Sequence, residues 1–362
     1  MSNERKAIIL EKMIQKNIDL MVFVPGSNLH YITGNQFGPS ERLLLYFLKQ
    51  NGQGYYIVPE VERTKLNVSE NDQVFSYADE DGPQVFVDTL KDKLNISGQT
   101  SVEVNDMRLF EWHYLNRLGI SKPVNSSDLI KDIRIIKSNE EIKRMRRATQ
   151  VLEQSLHATM PTIKVGKSEM EIAARLEYEM KMRGSQGTPF TTIVGSGYRG
   201  ALSHGRASEK VIEDGDLIVI DFGSIIDGYV GDMTRTIGVG NVSDEKRNVY
   251  DIVKNAIGQS IQAIEIGMKA CDIDAVARKV ISDAGYSENF THRLGHGIGL
   301  DAHEEPYIAS SNKDTLQPGM SFTIEPGIYI ENQFGIRIED NIIITEDDIE
   351  NLMTMNHDLI IL

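Results

Sequence analysis

The stretch IDFGSIIDGYVGD, residues 220–232, carries Asp221 and Asp232 on either side of an Asp227-Gly228 turn signal. The flanking runs LIVIDFGSI and YVGDMTRTI are rich in β-forming residues, so the stretch reads as a hairpin. A two-residue turn at 227–228 pairs 226 with 229 and sets Asp232 opposite Gly223. Asp221 lies two residues from Gly223 on the same strand. Because side chains alternate faces, Asp221 and Asp232 share one face as diagonal neighbours, with Cβ atoms within about 7–8 Å. A single hairpin aspartate is ordinarily a solvated surface group. Two on one face define a candidate site.

The surrounding sequence partly repeats. GKSEMEIAARLEYEMKMRG (166–184) aligns with GMKACDIDAVARKVISDAG (267–285), sharing Gly166/Gly267, Ile172/Ile273, Ala174/Ala275 and Gly184/Gly285. Phe190-Thr191 recurs as Phe290-Thr291, and GDLIVIDFG (215–223) recurs as GMSFTIEPG (319–327). Each half reads helix, glycine, strand, loop, strand, which suits two halves packed about a pseudo-two-fold axis. The second half has its own hairpin, SFTIEPGIYI and IRIEDNIII. A five-residue loop, Glu331 to Gly335, pairs 330 with 336 and sets Glu339 opposite Gly327. Glu325 and Glu339 then share a face, and the repeat puts Glu325 where the first half has Asp221.

Four carboxylates at one locus cannot all ionise unaided, because each negative charge raises the pKa of the others. Two divalent cations would balance them. Oxygen-rich ligation with some imidazole suits Mn²⁺, with Co²⁺, Fe²⁺ or Zn²⁺ as alternatives. HRLGHGIGLDAHEEP (292–306) supplies His292, His296 and His303, and ALSHGRAS supplies His204. His296, flanked by glycines that permit close backbone approach, is the best imidazole ligand. The isolated His30, His113, His157 and His357 read as structural.

The rest of the chain sets bounds. Its 362 residues suit two domains, and the net charge of −15 disfavours nucleic acid as a partner. No signal-peptide pattern and no membrane-spanning apolar run occur, and the single cysteine excludes an internal disulfide framework, so a cytoplasmic protein with no membrane partner is expected. Strand patterns at 20–24, 43–48, 55–58 and 101–104 alternate with helix patterns at 83–94 and 108–119, an α/β arrangement. Ser138 and Glu141 form a capping box that opens a long helix. The expected domains are 1–128 and 129–362.

IDFGSIIDGYVGDMTRT, HRLGHGIGLDAHEEP, FTIEPGIYI and GIRIED together resemble the metallopeptidase family that holds prolidase (Xaa-Pro dipeptidase), aminopeptidase P and, more distantly, methionine aminopeptidase. VPGSNLHYITG resembles the creatinase-type N-terminal domain. The fold implied is that domain, α/β, followed by an α+β pita-bread domain with an internal pseudo-two-fold repeat. The ligand set implied is Asp221, Asp232, His296, Glu325 and Glu339, holding two metal ions. Creatinase shares the fold but lacks this set, and methionine aminopeptidases usually lack the first domain. The resemblance therefore implies hydrolysis of Xaa-Pro bonds in dipeptides or longer peptides through a metal-bridging hydroxide.

In that reading Glu325 is also general base, His303 stabilises the oxyanion, and His204 holds substrate near the scissile bond. His292 lines the proline pocket or aids the intermediate. Arg337, two residues before Glu339, and Tyr329, four after Glu325, contact substrate or support a ligand, and Thr234 hydrogen-bonds a ligand. The resemblance also implies a homodimer. The alternatives are an aminopeptidase of broader, Met-Xaa type specificity and a non-catalytic peptide-binding protein of the same fold.

Overall fold

The computed structural model describes residues Ser2–Leu362, which form two compact units dividing between Arg134 and Ile135. In chain order the first unit contains α1 (Ser2–Gln15), β1 (Ile18–Phe23), α2 (Ser27–Thr33), β2 (Leu45–Lys49), β3 (Gly54–Pro59) and α3 (Glu60–Arg63). There follow β4 (Asp72–Tyr77), α4 (Val87–Leu94), β5 (Gln99–Val102), α5 (Leu109–Arg117), β6 (Val124–Asn125) and α6 (Ser127–Arg134). The strands make one mixed sheet, order β4-β3-β2-β1-β5-β6. Its inner strands are apolar along nearly their whole length, as a sheet covered on both faces requires. On one face Leu20, Val22, Phe47 and Ile57 pack with Leu90, Leu94 and Leu115 from α4 and α5.

The sequence patterns at 20–24, 43–48, 55–58 and 101–104 correspond to β1, β2, β3 and β5. The edge strand β4, DQVFSY, is half exposed and mixed in character, so it lacks the apolar run that marks the others. The unit extends six residues beyond the expected 128, because α6 turns Leu129, Ile130 and Ile133 into the interior. Among the described residues no helix is long and apolar enough to cross a membrane.

The second unit opens with α7 (Asn139–Thr159), whose expected cap is present: the Ser138 backbone N–H donates to Glu141 Oε2 at 2.7 Å. Next come α8 (Glu169–Met182), β7 (Ile193–Ser196), β8 (Leu217–Ile226), β9 (Tyr229–Gly238), α9 (Asp244–Gln262) and α10 (Ala270–Asp283). Strands β10 (Gly295–Gly297), β11 (Glu304–Ile308), β12 (Ser321–Ile324), β13 (Gly327–Ile330), β14 (Phe334–Arg337), β15 (Asp340–Ile344) and β16 (Ile349–Asn351) complete it. The sheets are β7-β8-β9, β11-β10-β12-β15-β16 and the pair β13-β14. Helices α7 and α8 share a core with β8 and β9, while α9 and α10 share one with β12, β14 and β15.

The repeat holds at the level of individual hydrogen bonds. Gly166 N–H donates to Ile212 O at 3.0 Å, and Gly267 N–H donates to Leu316 O at 2.9 Å. Met170 N–H donates to Ser208 O at 3.0 Å, and Cys271 N–H to Asn312 O at 2.8 Å. Helices α8 and α10, which these bonds anchor, are both 14 residues long.

The first hairpin has the expected register, Gly223 opposite Asp232. The second does not. Ile330 pairs with Phe334, so the loop is the three residues 331–333, with Asn332 at φ 60°. Gly335, read from sequence as loop, lies inside β14 and faces the backbone of Gly200. A Cβ there would sit 1.9 Å from Gly200 O. Replacing Gly335 with alanine should therefore cost about 1–3 kcal/mol or more by overpacking. The urea-unfolding midpoint checks this, and an unchanged midpoint would show that the close approach is not needed.

Candidate metal centre

Asp221 lies within β8 and Asp232 within β9, on the same face as the register requires. On the other side β12 pairs with β15 as far as Ile324 opposite Asp340, and β13 pairs with β14 from Gly327 opposite Arg337. The same register line carries Glu325 directly opposite Glu339, not Glu339 opposite Gly327. Between these ladders the regular pairing lapses, with a long Ile338 N–H to Pro326 O bond of 3.5 Å across it. Glu325 N–H donates to Leu294 O at 2.8 Å, and Glu339 N–H donates across the repeat to Thr234 O at 3.1 Å. Pro326 has no N–H to continue the ladder, which accounts for a break at this point. The two glutamates flank it, and the two halves of the unit meet there through the Thr234–Glu339 bridge.

His296 enters from β10. Its neighbour Gly295 runs so close to β12 that a Cβ would lie 1.9 Å from Thr323 O. The ring is buried, and its Nδ1 lies 3.1 Å from Gly297 O. That contact assigns the proton to Nδ1 and leaves the Nε2 lone pair facing the carboxylates, 3.3 Å from Glu325 Oε1 and 3.9 Å from Asp232 Oδ2. One ligand atom each from Asp232, His296 and Glu339 lie within 4.8 Å of one another. Asp221 and Glu325 lie outside that tight trio but line the same cavity, about 850 Å³ in volume.

The groups around these side chains hold them in place. Thr234 Oγ1 donates to Glu339 Oε2 at 2.7 Å, the contact expected of it. Arg337 bonds Asp221 Oδ2 at 2.5 Å and Tyr329 Oη at 2.7 Å, and His292 Nε2 lies 2.9 Å from the same Tyr329 oxygen. His292, Tyr329, Arg337 and Asp221 thus form a continuous chain. Asn341 clamps the backbone of Asp232, accepting from its N–H at 3.0 Å and donating to its O at 2.7 Å.

His204 and His303 stand exposed to the cavity, with the His303 ring centroid 4.2 Å from that of His296. Nine of the eleven site residues singled out from sequence line the cavity; Tyr329 lies behind it, against Arg337 and His292, and Thr234 lies against Glu339. Sequence reasoning gave no site role to Asn341, Arg293, Arg206, Ser203, Phe190, Thr191 or Thr291. The repeated Phe-Thr pair was the available signal for the last three.

The electrostatics favour cations. Burial, then the charges of Asp221 and Glu325, push Asp232 well above the ordinary carboxylate range. Burial and then Asp232 do the same to Glu339. Burial lifts Glu325 to about 8 against the counteracting charge of Arg337. Burial lowers His296 to about 3, keeping it neutral and able to ligate. Asp221 Oδ1 and Asp232 Oδ1 are buried without any hydrogen-bond partner. Unpartnered carboxylate oxygens beside a neutral imidazole form a donor set that fits hard or borderline divalent metal ions.

Comparison with known proteins agrees. The chain belongs to metallopeptidase family M24, whose sequence profile matches residues 143–346, and the Creatinase/Prolidase N-terminal domain matches residues 5–136. It is therefore a metallopeptidase with a creatinase-type domain ahead of a pita-bread domain. It is 36% identical to the Xaa-Pro dipeptidase of Pyrococcus horikoshii over 99% of each chain. Among solved structures, the prolidase of Thermococcus sibiricus superposes with TM-score 0.94 at 34% identity, covering 100% of this chain and 99% of that one. The X-Pro aminopeptidase of Thermotoga maritima gives TM-score 0.87 at 32% identity, covering 99% of each.

The carboxylate shifts set a pH dependence for the metal-free protein. An acid raised by folding, as Glu325 is from 4.5 to about 8, leaves stability intact below its unfolded pKa and removes it as pH rises toward the folded value. Histidines depressed by folding, His296 among them, lose stability only below their ordinary 6.5. Between pH 6.5 and 8 the carboxylates therefore dominate. Chelator-treated protein should melt at a lower temperature at pH 8 than at pH 6.5, and added Mn²⁺ should flatten that slope. A melting temperature that rises with pH in the stripped protein would contradict the assignment.

Proposed function

We propose that the protein hydrolyses the peptide bond preceding proline, in Xaa-Pro dipeptides or at the N-terminus of longer peptides. The observation that carries this is the convergence of four carboxylates and His296, with two buried carboxylate oxygens unpartnered, in a chain similar end to end to an Xaa-Pro dipeptidase. Asp221, Asp232, His296, Glu325 and Glu339 would hold two divalent ions, Mn²⁺ suiting the donor set best and Co²⁺, Fe²⁺ or Zn²⁺ as alternatives. When bound, such a pair lowers the pKa of a water held between its members and polarises the scissile carbonyl.

The chain's own groups do the rest. Glu325 takes the proton of the attacking water and delivers it to the departing proline nitrogen. His303, exposed to the cavity beside His296, donates to the carbonyl oxygen as negative charge develops there. His204 holds the substrate near the scissile bond. Burial and the nearby Arg337 charge hold His292 near 4, so it meets the substrate as a neutral ring. Arg337 fixes Asp221 by one oxygen and leaves Oδ1 for the cavity. Phe190 and Ile193 offer an apolar wall for the pyrrolidine ring. A bond to proline carries no amide hydrogen, so a pocket shaped for the ring can select it. A cytoplasmic homodimer completes the reading, and sedimentation of the purified protein tests the dimer.

Hydrolysis of Xaa-Pro and Xaa-Pro-Xaa peptides after addition of Mn²⁺, Co²⁺ or Zn²⁺ tests the activity, metal and substrate length together. Cleavage of Xaa-Pro peptides with metal and none after chelation is expected. No cleavage with any metal would refute the proposal. Asp232→Asn should lower kcat/KM by at least about a thousandfold while far-UV circular dichroism stays unchanged.

A further inference from the structure

Glu169, the first residue of α8, lies far from the metal-site motifs in sequence, and its carboxylate is completely buried. It accepts five hydrogen bonds. Oε1 takes Ser196 N–H at 2.7 Å and Ser196 Oγ at 3.0 Å. Oε2 takes Arg199 Nε at 2.9 Å, Ser208 N–H at 3.0 Å and Ser208 Oγ at 2.7 Å. Ser196 and Ser208 flank one loop, residues 197–207, so a single carboxylate ties its two ends together, alongside the bridge of Arg206 to Ile193 of β7.

That loop reaches the cavity. Ser203, His204 and Arg206 line it, and Ser203 O accepts from Arg337 Nη1 at 3.2 Å. Arg199, held at Glu169, passes a second bond across the loop from Nη2 to Arg206 O at 2.7 Å. His204 itself has no regular strand or helix under it; it sits in a turn. Its placement depends on how the loop is closed.

The duplication separates this role from the needs of the fold. Ala270 occupies the position of Glu169 in the second half, and α10 starts there with the same backbone pattern: Ala270 N–H donates to Asp314 O at 3.0 Å, as Glu169 N–H donates to Lys210 O at 3.0 Å. The helix start therefore forms without a carboxylate. We propose that Glu169 is a positioning residue for the reaction, clasping both ends of the 197–207 loop so that His204 is held against the substrate. This rests on the substrate-holding role given to His204 above.

Glutamine at 169 keeps the shape but replaces one acceptor oxygen with an N–H₂ group, which must meet donors at Ser196 or at Arg199 and Ser208. Glu169→Gln should lower kcat/KM on an Xaa-Pro dipeptide by roughly ten- to a hundredfold, the scale expected for a misplaced binding group. Combined with His204→Ala, the loss should be well below the product of the single losses. Hydrogen exchange should speed up at 197–208 while β8 and β9 stay protected, and Mn²⁺ binding measured by calorimetry should be unchanged.

Ser208→Ala removes one hydroxyl donor and spares the carboxylate. It should give the same pattern at several-fold amplitude, and it serves in place of Glu169→Gln if that variant does not fold. Multiplicative losses in the double variant, unchanged exchange in the loop, or a kcat/KM loss that tracks only a lowered melting temperature would each overturn the proposal. Should the parent protein cleave no Xaa-Pro peptide, the functional reading fails, and the exchange and Mn²⁺ measurements still decide whether Glu169 clasps the loop.

Discussion

Mutual repulsion among Asp221, Asp232, Glu325 and Glu339 is the constraint around which the second unit is arranged. Burial makes each of these charges expensive, and proximity makes each worse for its neighbours. The fold answers only part of the problem. Arg337 pairs with Asp221, Thr234 donates to Glu339, and the Thr323 hydroxyl lies 3.4 Å from Glu325 Oε1. Arg337 is the one fixed cation bonded to any of the four carboxylates among the described residues, since Arg235 bonds only the backbone oxygen of Glu339. The remaining negative charge is left for bound metal to neutralise, and metal binding must then release protons that the raised carboxyls of Asp232, Glu325 and Glu339 otherwise keep.

The duplication solves the geometric half of the problem in two different ways. In the first half a tight turn at Asp227-Gly228 joins two 10-residue strands, and the short aspartate side chains project from an unbroken ladder. In the second half the ladder is interrupted at Pro326, and the longer glutamates stand at the break. Glu325 is tied toward β10 and Glu339 toward β9. One half thus supplies a rigid edge. The other opens just where His296 and both glutamates must converge. Neither hairpin holds a complete ligand set, so a shift between the halves would dismantle the site without unfolding either one.

Parity explains what the sequence disclosed. A strand alternates with period two, so the shared face of Asp221 and Asp232 followed from a two-residue turn, and that of Glu325 and Glu339 survived a misjudged loop length because the error moved the register by two. The loop is shorter than the sequence suggests because Gly335 belongs to β14, where the missing side chain admits the backbone of Gly200, a residue 135 positions away. Asn341 escaped notice for a related reason. Its clamp on the Asp232 backbone is visible only once β9 and β15 lie side by side. Edge strand β4 was silent because half-exposed strands carry little hydrophobic signal. Long-range contact, not local propensity, is the common element in these omissions.

The two halves differ in chemistry more than in scaffold. The bonds that start α8 and α10 match one for one, yet Glu169 has Ala270 as its counterpart, and the loop it closes carries His204. His303 comes from the other half, in the segment between β10 and β11. It follows β10, whose strand pairing holds His296, and Lys137 bonds the adjacent Glu304 at 2.7 Å. One histidine is therefore held by a closed loop and the other by the end of a sheet. Symmetric backbone with asymmetric anchoring suits a reaction whose two sides differ. In the proposed reaction a free amino end and a proline ring would be bound at once, and only one bond between them would be cut. The ligand set can remain nearly symmetric because metal ions make no such distinction. The loops cannot, because orientation of the peptide has to come from side chains held at fixed and unequal positions around it.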